Sequence, residues 1–174
     1  MIDWYTLVVG IHVNFQDAVG AWTSNDRANH RVAFLAIPGL IDDPEKRRRT
    51  GMHHMAFEYD SFDALMADYG RIKAAGVTPA FCLDHGLTTS LYYNDPDGNV
   101  VEMQVDNFGD WERSSEWMRT APEFFVEPRD PDAETWTGYR PGVEGAIAEF
   151  GADEAHPIGA LVEKLPKLLE GAKR

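Results

Sequence analysis

His85-Gly-Leu-Thr-Thr-Ser-Leu-Tyr92-Tyr-Asn-Asp95-Pro96-Asp-Gly98-Asn-Val-Val101-Glu102-Met-Gln-Val105 is the stretch from which the fold can be read. Asn94-Asp95-Pro96-Asp97-Gly98 is a turn cluster, with a proline to pre-set one φ and a glycine able to take a positive one. The runs on either side, 87–93 and 99–105, are rich in Thr, Tyr and Val, so the segment reads as a β-hairpin. In the second run Val101, Met103 and Val105 alternate with Val100, Glu102 and Gln104. Successive side chains on a strand point to opposite faces, which turns Glu102 away from the apolar, helix-packed side.

Upstream, residues 52–59 (MHHMAFEY) alternate in the same way. Met55, Phe57 and Tyr59 share a face with His53, while His54, Ala56 and Glu58 share the other. Asp60 or Ser61 can cap a helix bearing Phe62, Leu65, Met66, Tyr69 and Ile72 on one stripe, closed by Gly76. A strand over 77–82 then leads into the turn Asp84-His85-Gly86. The order is β, α, β, β, β. Before it, residues 2–9 read as a helix stopped at Gly10, followed by strands over 11–16, 19–24 and 30–37, the last ended by Pro38-Gly39. That is the same βαβββ unit without its leading strand, repeated in pattern rather than in letters. The expected class is therefore α+β, with paired modules at about 1–40 and 51–107. If helices cover the backs of both sheets, His54 and Glu102 meet on the concave side. An imidazole and a carboxylate there are two of the three donors of a 2-His-1-carboxylate site, a geometry suited to Fe(II) with open positions.

The chain has 174 residues and 19.5 kDa, enough for one domain or two small modules sharing a core. Its 16 basic against 29 acidic residues, net −13, argue against a nucleic-acid or anionic-membrane partner, since both reward Lys/Arg density. The one basic run, Lys46-Arg47-Arg48-Arg49, follows Asp42, Asp43 and Glu45 and reads as a solvated loop. Cys82, the only cysteine, excludes an internal disulfide and a Cys-rich zinc site. No apolar run of roughly 18 residues exists to span a membrane. The opening Met-Ile-Asp-Trp is not a signal peptide, so a cytoplasmic location is expected. From Phe108 the composition changes: Trp111, Trp117, Phe124, Phe125 and Trp136 lie among Pro, Asp and Glu, and residues 158–170 have a weakly amphipathic helical pattern. Residues 108–174 are expected to be an extension wrapping the core or a neighbouring subunit, with a homo-oligomer as the expected assembly.

The stretch from His85 to Glu102 resembles the signature of the extradiol ring-cleavage (catechol) dioxygenases. There a His precedes an aliphatic-Tyr pair, then Asp-Pro-x-Gly, then Glu. Met52-His53-His54-Met55-Ala56-Phe57 is similar to that family's His-His-x-Ala-Phe strand. Ser24-Asn-Asp-Arg-Ala-Asn-His30-Arg-Val-Ala-Phe34 is similar to the segment carrying its acid-base His. The resemblance covers about residues 1–107. It implies the vicinal oxygen chelate fold of the glyoxalase/bleomycin resistance superfamily, a curved mixed sheet around a metal-site cavity. It implies His54 and Glu102 as ligands of Fe(II), with Mn(II) the second choice. It implies His30 as the acid-base residue, and His85 and Tyr92 as donors to the substrate oxygens. A catechol-type small aromatic and O2 would be the substrates, and a muconic semialdehyde-type product the result. The competing readings are a glyoxalase-like isomerase or lyase and a metal-free small-aromatic binding protein of the same fold; His30, His85 and Tyr92 together favour the dioxygenase. In that family the first metal His lies on the leading strand of the module, where this sequence has no matching residue, and His12 falls on another strand. The expectation is that this chain by itself binds Fe(II) poorly and that a version extended upstream by a His-bearing strand binds it tightly.

Overall fold

The computed structural model describes residues 1–120, 127–128 and 130–132. Helix α1 (Ile2–Val9) ends at Gly10, whose φ of 73° is the left-handed stop that glycine takes without strain. Strands β1 (His12–Gln16), β2 (Gly20–Ser24) and β3 (Val32–Leu35) form an antiparallel three-stranded sheet in that order. A charged connector with a short 3-10 turn at Lys46–Arg48 leads to β4 (His54–Tyr59) and α2 (Phe62–Ala74). Strands β5 (Phe81–Asp84), β6 (Thr88–Asn94) and β7 (Val100–Asp106) follow, then α3 (Trp111–Thr120) and the two-residue β8 (Glu127–Pro128). The second sheet runs β4-β7-β6-β5-β8, with β4 parallel to β7 and the other pairings antiparallel. Among the described residues no strand pairing joins the two sheets, and no helix is long and apolar enough to cross a membrane.

The expected helices form where the caps require them. Ser61 Oγ accepts from the Ala64 amide at 3.2 Å, and Gly76, at φ 87°, closes α2 by donating to Lys73 O at 2.9 Å. The predicted stripe is the buried one: Leu65, Tyr69 and Ile72 enter the core, and Phe62 and Met66 pack against it. Alternation in β7 also holds, since Val101, Met103 and Val105 join Leu91 and Tyr93 of β6 in that same core. Helix α1 adds Tyr5, Val8 and Val9 to this cluster, so the helix of the first half is packed into the core of the second. A buried carboxylate fastens it: Tyr5 Oη donates to Asp95 Oδ2 at 3.1 Å, while Asp95 Oδ1 accepts the Asp97 and Asn99 amides at 3.0 and 2.7 Å. Asp95 thus shapes the β6–β7 turn and ties α1 to it.

Three expectations shift. The strand read over 77–82 begins only at Phe81, because Pro79 has no N–H for a ladder and the Val77 amide is spent on Ile72 O. The strand read over 30–37 shortens to Val32–Leu35, since Asn14 Nδ2 donates to the carbonyls of Ala28 and Asn29 and holds that stretch as a turn. Residues 111–120, expected only as the start of an extension wrapping the core or a partner, form α3, with Asp110 Oδ1 accepting the Glu112 amide at its start. The basic run is exposed as expected, but Lys46 Nζ donates to Asn99 Oδ1 at 2.6 Å and Arg47 reaches Asn94, so the connector rests on the β6–β7 turn. Of the tail beyond α3, β8 pairs with β5, and Asp132 takes Lys73 and the Tyr69 hydroxyl of α2. Phe124, Phe125, Trp136 and the helix expected at 158–170 lie outside the described residues.

Candidate metal centre

Strand register brings the site together. Tyr92 of β6 stands directly opposite Glu102 of β7, and Glu102 stands opposite Ala56 of β4. The small Ala56 side chain leaves the space over Glu102 open. His54, two residues before Ala56 and therefore on the same face, reaches diagonally across it. Its Nε2 lies 2.9 Å from Glu102 Oε2. On the other carboxylate oxygen, Tyr92 Oη donates to Oε1 at 2.9 Å, and His85 Nε2 lies 2.8 Å from the same Tyr92 oxygen. His85, Tyr92 and Glu102 thus form a chain of hydrogen bonds, with His54 at ion-pair distance from its end, across three strands and the β5–β6 turn.

The electrostatics fix the direction of the protons. Glu102 is only 5% exposed, yet both its oxygens are paired, which is what a buried carboxylate needs. Burial, and next the Glu102 charge, push the Tyr92 phenol well above its ordinary value, so it stays protonated and is the donor in that pair. Its single proton being directed at Glu102, His85 must present Nε2–H to the phenol oxygen. His54 Nε2 lies at ion-pair distance from Oε2, and its Nδ1 faces His53 Nδ1 at 2.7 Å. Around the chain, Phe81 of β5 stacks on Tyr92 at 4.5 Å between ring centres with a 19° interplanar angle, and His54 meets the same ring edge-on at 5.7 Å. Farther along this face Trp111 of α3 donates from Nε1 to Glu58 at 2.7 Å.

Of the five residues expected from the sequence, four are in mutual contact. His30 is not: it is exposed in the turn between β2 and β3, bonded through Nδ1 to Asn29 Oδ1 at 2.7 Å. There it lines a groove with His12, Phe15, Trp22 and Arg27 on the three-stranded sheet. His12 is accordingly a neighbour of His30 and not of Glu102. Among the described residues no cluster of three or more His, Cys, Asp or Glu side chains could hold a metal ion. His54 Nε2 and the Glu102 carboxylate fit two positions of a 2-His-1-carboxylate centre by donor type and spacing, and the described residues supply no third. Contacts that residue-by-residue reading of the sequence did not anticipate are the Tyr92–Glu102 bond, the Phe81 stack and the His53–His54 bond. The signal for the first two was the alternation itself: counting outward from the turn puts Tyr92 opposite Glu102, and Phe81 opposite Tyr92.

Comparison with known proteins adds the following. The model of the glyoxalase/bleomycin resistance protein/dioxygenase superfamily matches residues 1–103. The chain is similar to biphenyl-2,3-diol 1,2-dioxygenase 2 of Rhodococcus globerulus, 38% identical over 128 residues, which are 74% of this chain and 66% of that protein. It is similar to biphenyl-2,3-diol 1,2-dioxygenase 3 of the same organism, 40% identical over 119 residues, 68% of this chain and 62% of that protein. The chain thus spans just under two thirds of the length of these relatives. A second model, the N-terminal domain of aminopeptidase P, matches residues 118–174. A 44-residue segment is 52% identical to Xaa-Pro aminopeptidase 3 of Mus musculus, covering 25% of this chain and 9% of that protein.

Proposed function

Because this chain belongs to the glyoxalase/bleomycin resistance protein/dioxygenase superfamily, we propose that it carries the site of an extradiol dioxygenase that cleaves a catechol-type ring beside its hydroxyls. The observation that carries this reading is the buried Glu102 carboxylate, held between His54 and a protonated Tyr92. His54 and Glu102 would hold Fe(II), with Mn(II) second; when bound, the metal supplies Lewis-acid and one-electron chemistry toward a diol and O2. The rest falls to the protein's own side chains. Tyr92 is a phenol kept neutral by burial, so it can turn its proton from Glu102 to a diol oxygen as charge gathers there. His85 presents Nε2–H to the Tyr92 oxygen and holds that phenol in place. The stacked Phe81–Tyr92 pair offers an apolar wall for a flat ring. His30 would take the second hydroxyl proton and return it, a task for an imidazole near neutral pH. It lines a groove with Phe15 and Trp22 on the three-stranded sheet.

The relatives' names specify a biphenyl diol, and a catechol carrying a second ring is the substrate we infer first. The test is anaerobic loading with Fe(II), then addition of air and 2,3-dihydroxybiphenyl. A yellow, oxygen-dependent product is expected, at low yield from this chain, whose described residues supply two metal donors and no third. Isomerase activity on a glutathione adduct, or diol binding without oxygen uptake, would instead favour the other readings of this fold.

A second reading concerns residues 118–174 only. Their match to an aminopeptidase domain favours a segment of separate family origin over a part of the ring-cleaving machinery. Removing residues 133–174, which spares β8 and Asp132, should then leave Fe(II) affinity and diol binding unchanged.

A further inference from the structure

The three-stranded sheet carries a groove of about 1090 Å3 that neither His54 nor Glu102 lines. Its floor is aromatic. Phe15 of β1 stands opposite Trp22 of β2 in the strand register, and the two rings meet at 5.6 Å between centres with a 52° interplanar angle. Phe15 is exposed and Trp22 only half-buried, so the pair presents an apolar surface of ring size to water. The wall is the turn from Ser24 to Arg31, and hydrogen bonds build it. Asp26 Oδ1 accepts the Ser24 hydroxyl and the Ala28 amide, both at 2.8 Å, and Arg31 grips Asp26 Oδ2 through Nη2 at 2.7 Å and Nε at 3.1 Å. Asp26 is the one carboxylate lining the groove, and Arg31 neutralises it. Arg27 lines the same groove with no ion pair and no hydrogen-bond acceptor among the described residues. The other described arginines all have partners. Arg31, Arg48, Arg49, Arg71 and Arg119 each hold a carboxylate, Arg47 holds Asn94, and Arg113 covers the Phe108 ring. In a chain with 29 acidic residues, an arginine left without an acid beside an aromatic floor is the exception.

We propose that this groove binds an aromatic carboxylate, its ring against Phe15 and Trp22 and its carboxylate on the Arg27 guanidinium. The chemistry selects that class. A guanidinium offers parallel N–H donors that match the two oxygens of a carboxylate, and its charge does not depend on pH. A flat ring fits an exposed aromatic pair, which gains from offset or edge-on ring contacts that an aliphatic acid cannot make. His12 and His30, on the same groove, bring no negative charge against the ligand. Asp26 does not compete for Arg27, because Arg31 already occupies it. Binding of this kind needs no metal and no ring cleavage, so it stands or falls apart from the reading of the metal centre.

The test uses the whole chain without metal and 4-phenylbenzoate as probe, with 4-phenylbenzamide as its uncharged counterpart of the same shape. Affinities are read by 1H–15N chemical-shift titration, which also locates the site. The acid should move amide signals within residues 12–30, and the amide should bind roughly tenfold or more weakly, the scale of a hydrogen bond to a charged group. Arg27→Gln should bring the acid down to the level of the amide and leave the amide unchanged. Because Arg27 has no polar partner among the described residues, this variant should fold as the parent does. Phe15→Ala, at an exposed position, should weaken acid and amide alike by about three- to tenfold, the scale of a lost ring contact. Equal affinity for acid and amide would overturn the proposal. So would an Arg27→Gln variant that binds the acid as the parent does, shifts confined to the five-stranded sheet, or no binding at millimolar acid. A groove closed by a second copy of the chain would also overturn it, seen as sedimentation that quickens with concentration in the parent and not in Phe15→Ala.

Discussion

The two sheets carry similar strands but treat their histidines differently. In the five-stranded sheet β7 has a neighbour on each side, β4 in parallel and β6 antiparallel, and Glu102 at its centre is buried, hydrogen-bonded to Tyr92 and within ion-pair distance of His54. In the three-stranded sheet β3, the last strand of its unit like β7, is paired on one side only among the described residues, and every residue of β1 is exposed. Phe15 is 56% exposed there, whereas Leu91 of β6 is wholly buried. A buried carboxylate needs polar partners from its flanking strands, and the second half provides them. The first half has spent its helix on the core of the second, through Tyr5, Val8 and Val9, and presents His12 and His30 on an open face.

That contrast can be broken by substitution. Leu91→Ala should destabilise the protein by about 2–5 kcal/mol, the usual cost of emptying a well-packed leucine site, as read from a denaturant midpoint. His30→Phe, in the open half, should leave Fe(II) and diol binding intact and slow ring cleavage by roughly 10² at saturating O2 and diol. Unchanged turnover would give His30 a structural role. Tyr5→Phe removes one of several donors to Asp95 and should cost about 1 kcal/mol, visible as a modest fall in thermal midpoint. Val13→Ala on exposed β1 should change stability by less than about 0.5 kcal/mol. Equal effects for Leu91 and Val13 would erase the distinction between the halves.

Cys82 probes the buried half through pH. Burial first, then the Asp130 and Asp132 charges, push its thiol up to about 12. An acid whose folded value is raised loses stability as pH climbs, because the unfolded thiol ionises from about 8.5 upward while the folded one stays neutral. Native protein at pH 8 should therefore resist thiol alkylation until it unfolds. Rapid labelling of the native state would show that the β5 side of the core opens readily.

Much of this was legible in the residues. Gly10 marked the end of α1, Ser61 and Gly76 bracketed α2, and Asn94–Gly98 marked the β6–β7 turn, because each signal is local. Alternation placed His54 and Glu102 on one face for the same reason. What needed three dimensions was less visible. Pro79 delayed β5 by denying the ladder a donor, and Asp110 could have announced α3 as a cap, but the change of composition after Phe108 was read only as an extension. That His30 stands apart from the other four depends on how two sheets are arranged, which no spacing within either reports. The His53–His54 bond joins side chains that strict alternation would send to opposite faces. It forms because His53 lies outside the regular strand.

The central claim is that His54 and Glu102 jointly hold a metal ion in the second half of the fold. Anaerobic Fe(II) titration of the parent, Glu102→Gln and His54→Ala, with circular dichroism to verify folding, tests it most directly. The account predicts folded variants, measurable binding by the parent, and a loss of roughly 10² or more in affinity for each variant, since each removes a donor. Iron bound equally well by the parent and by either folded variant would contradict it.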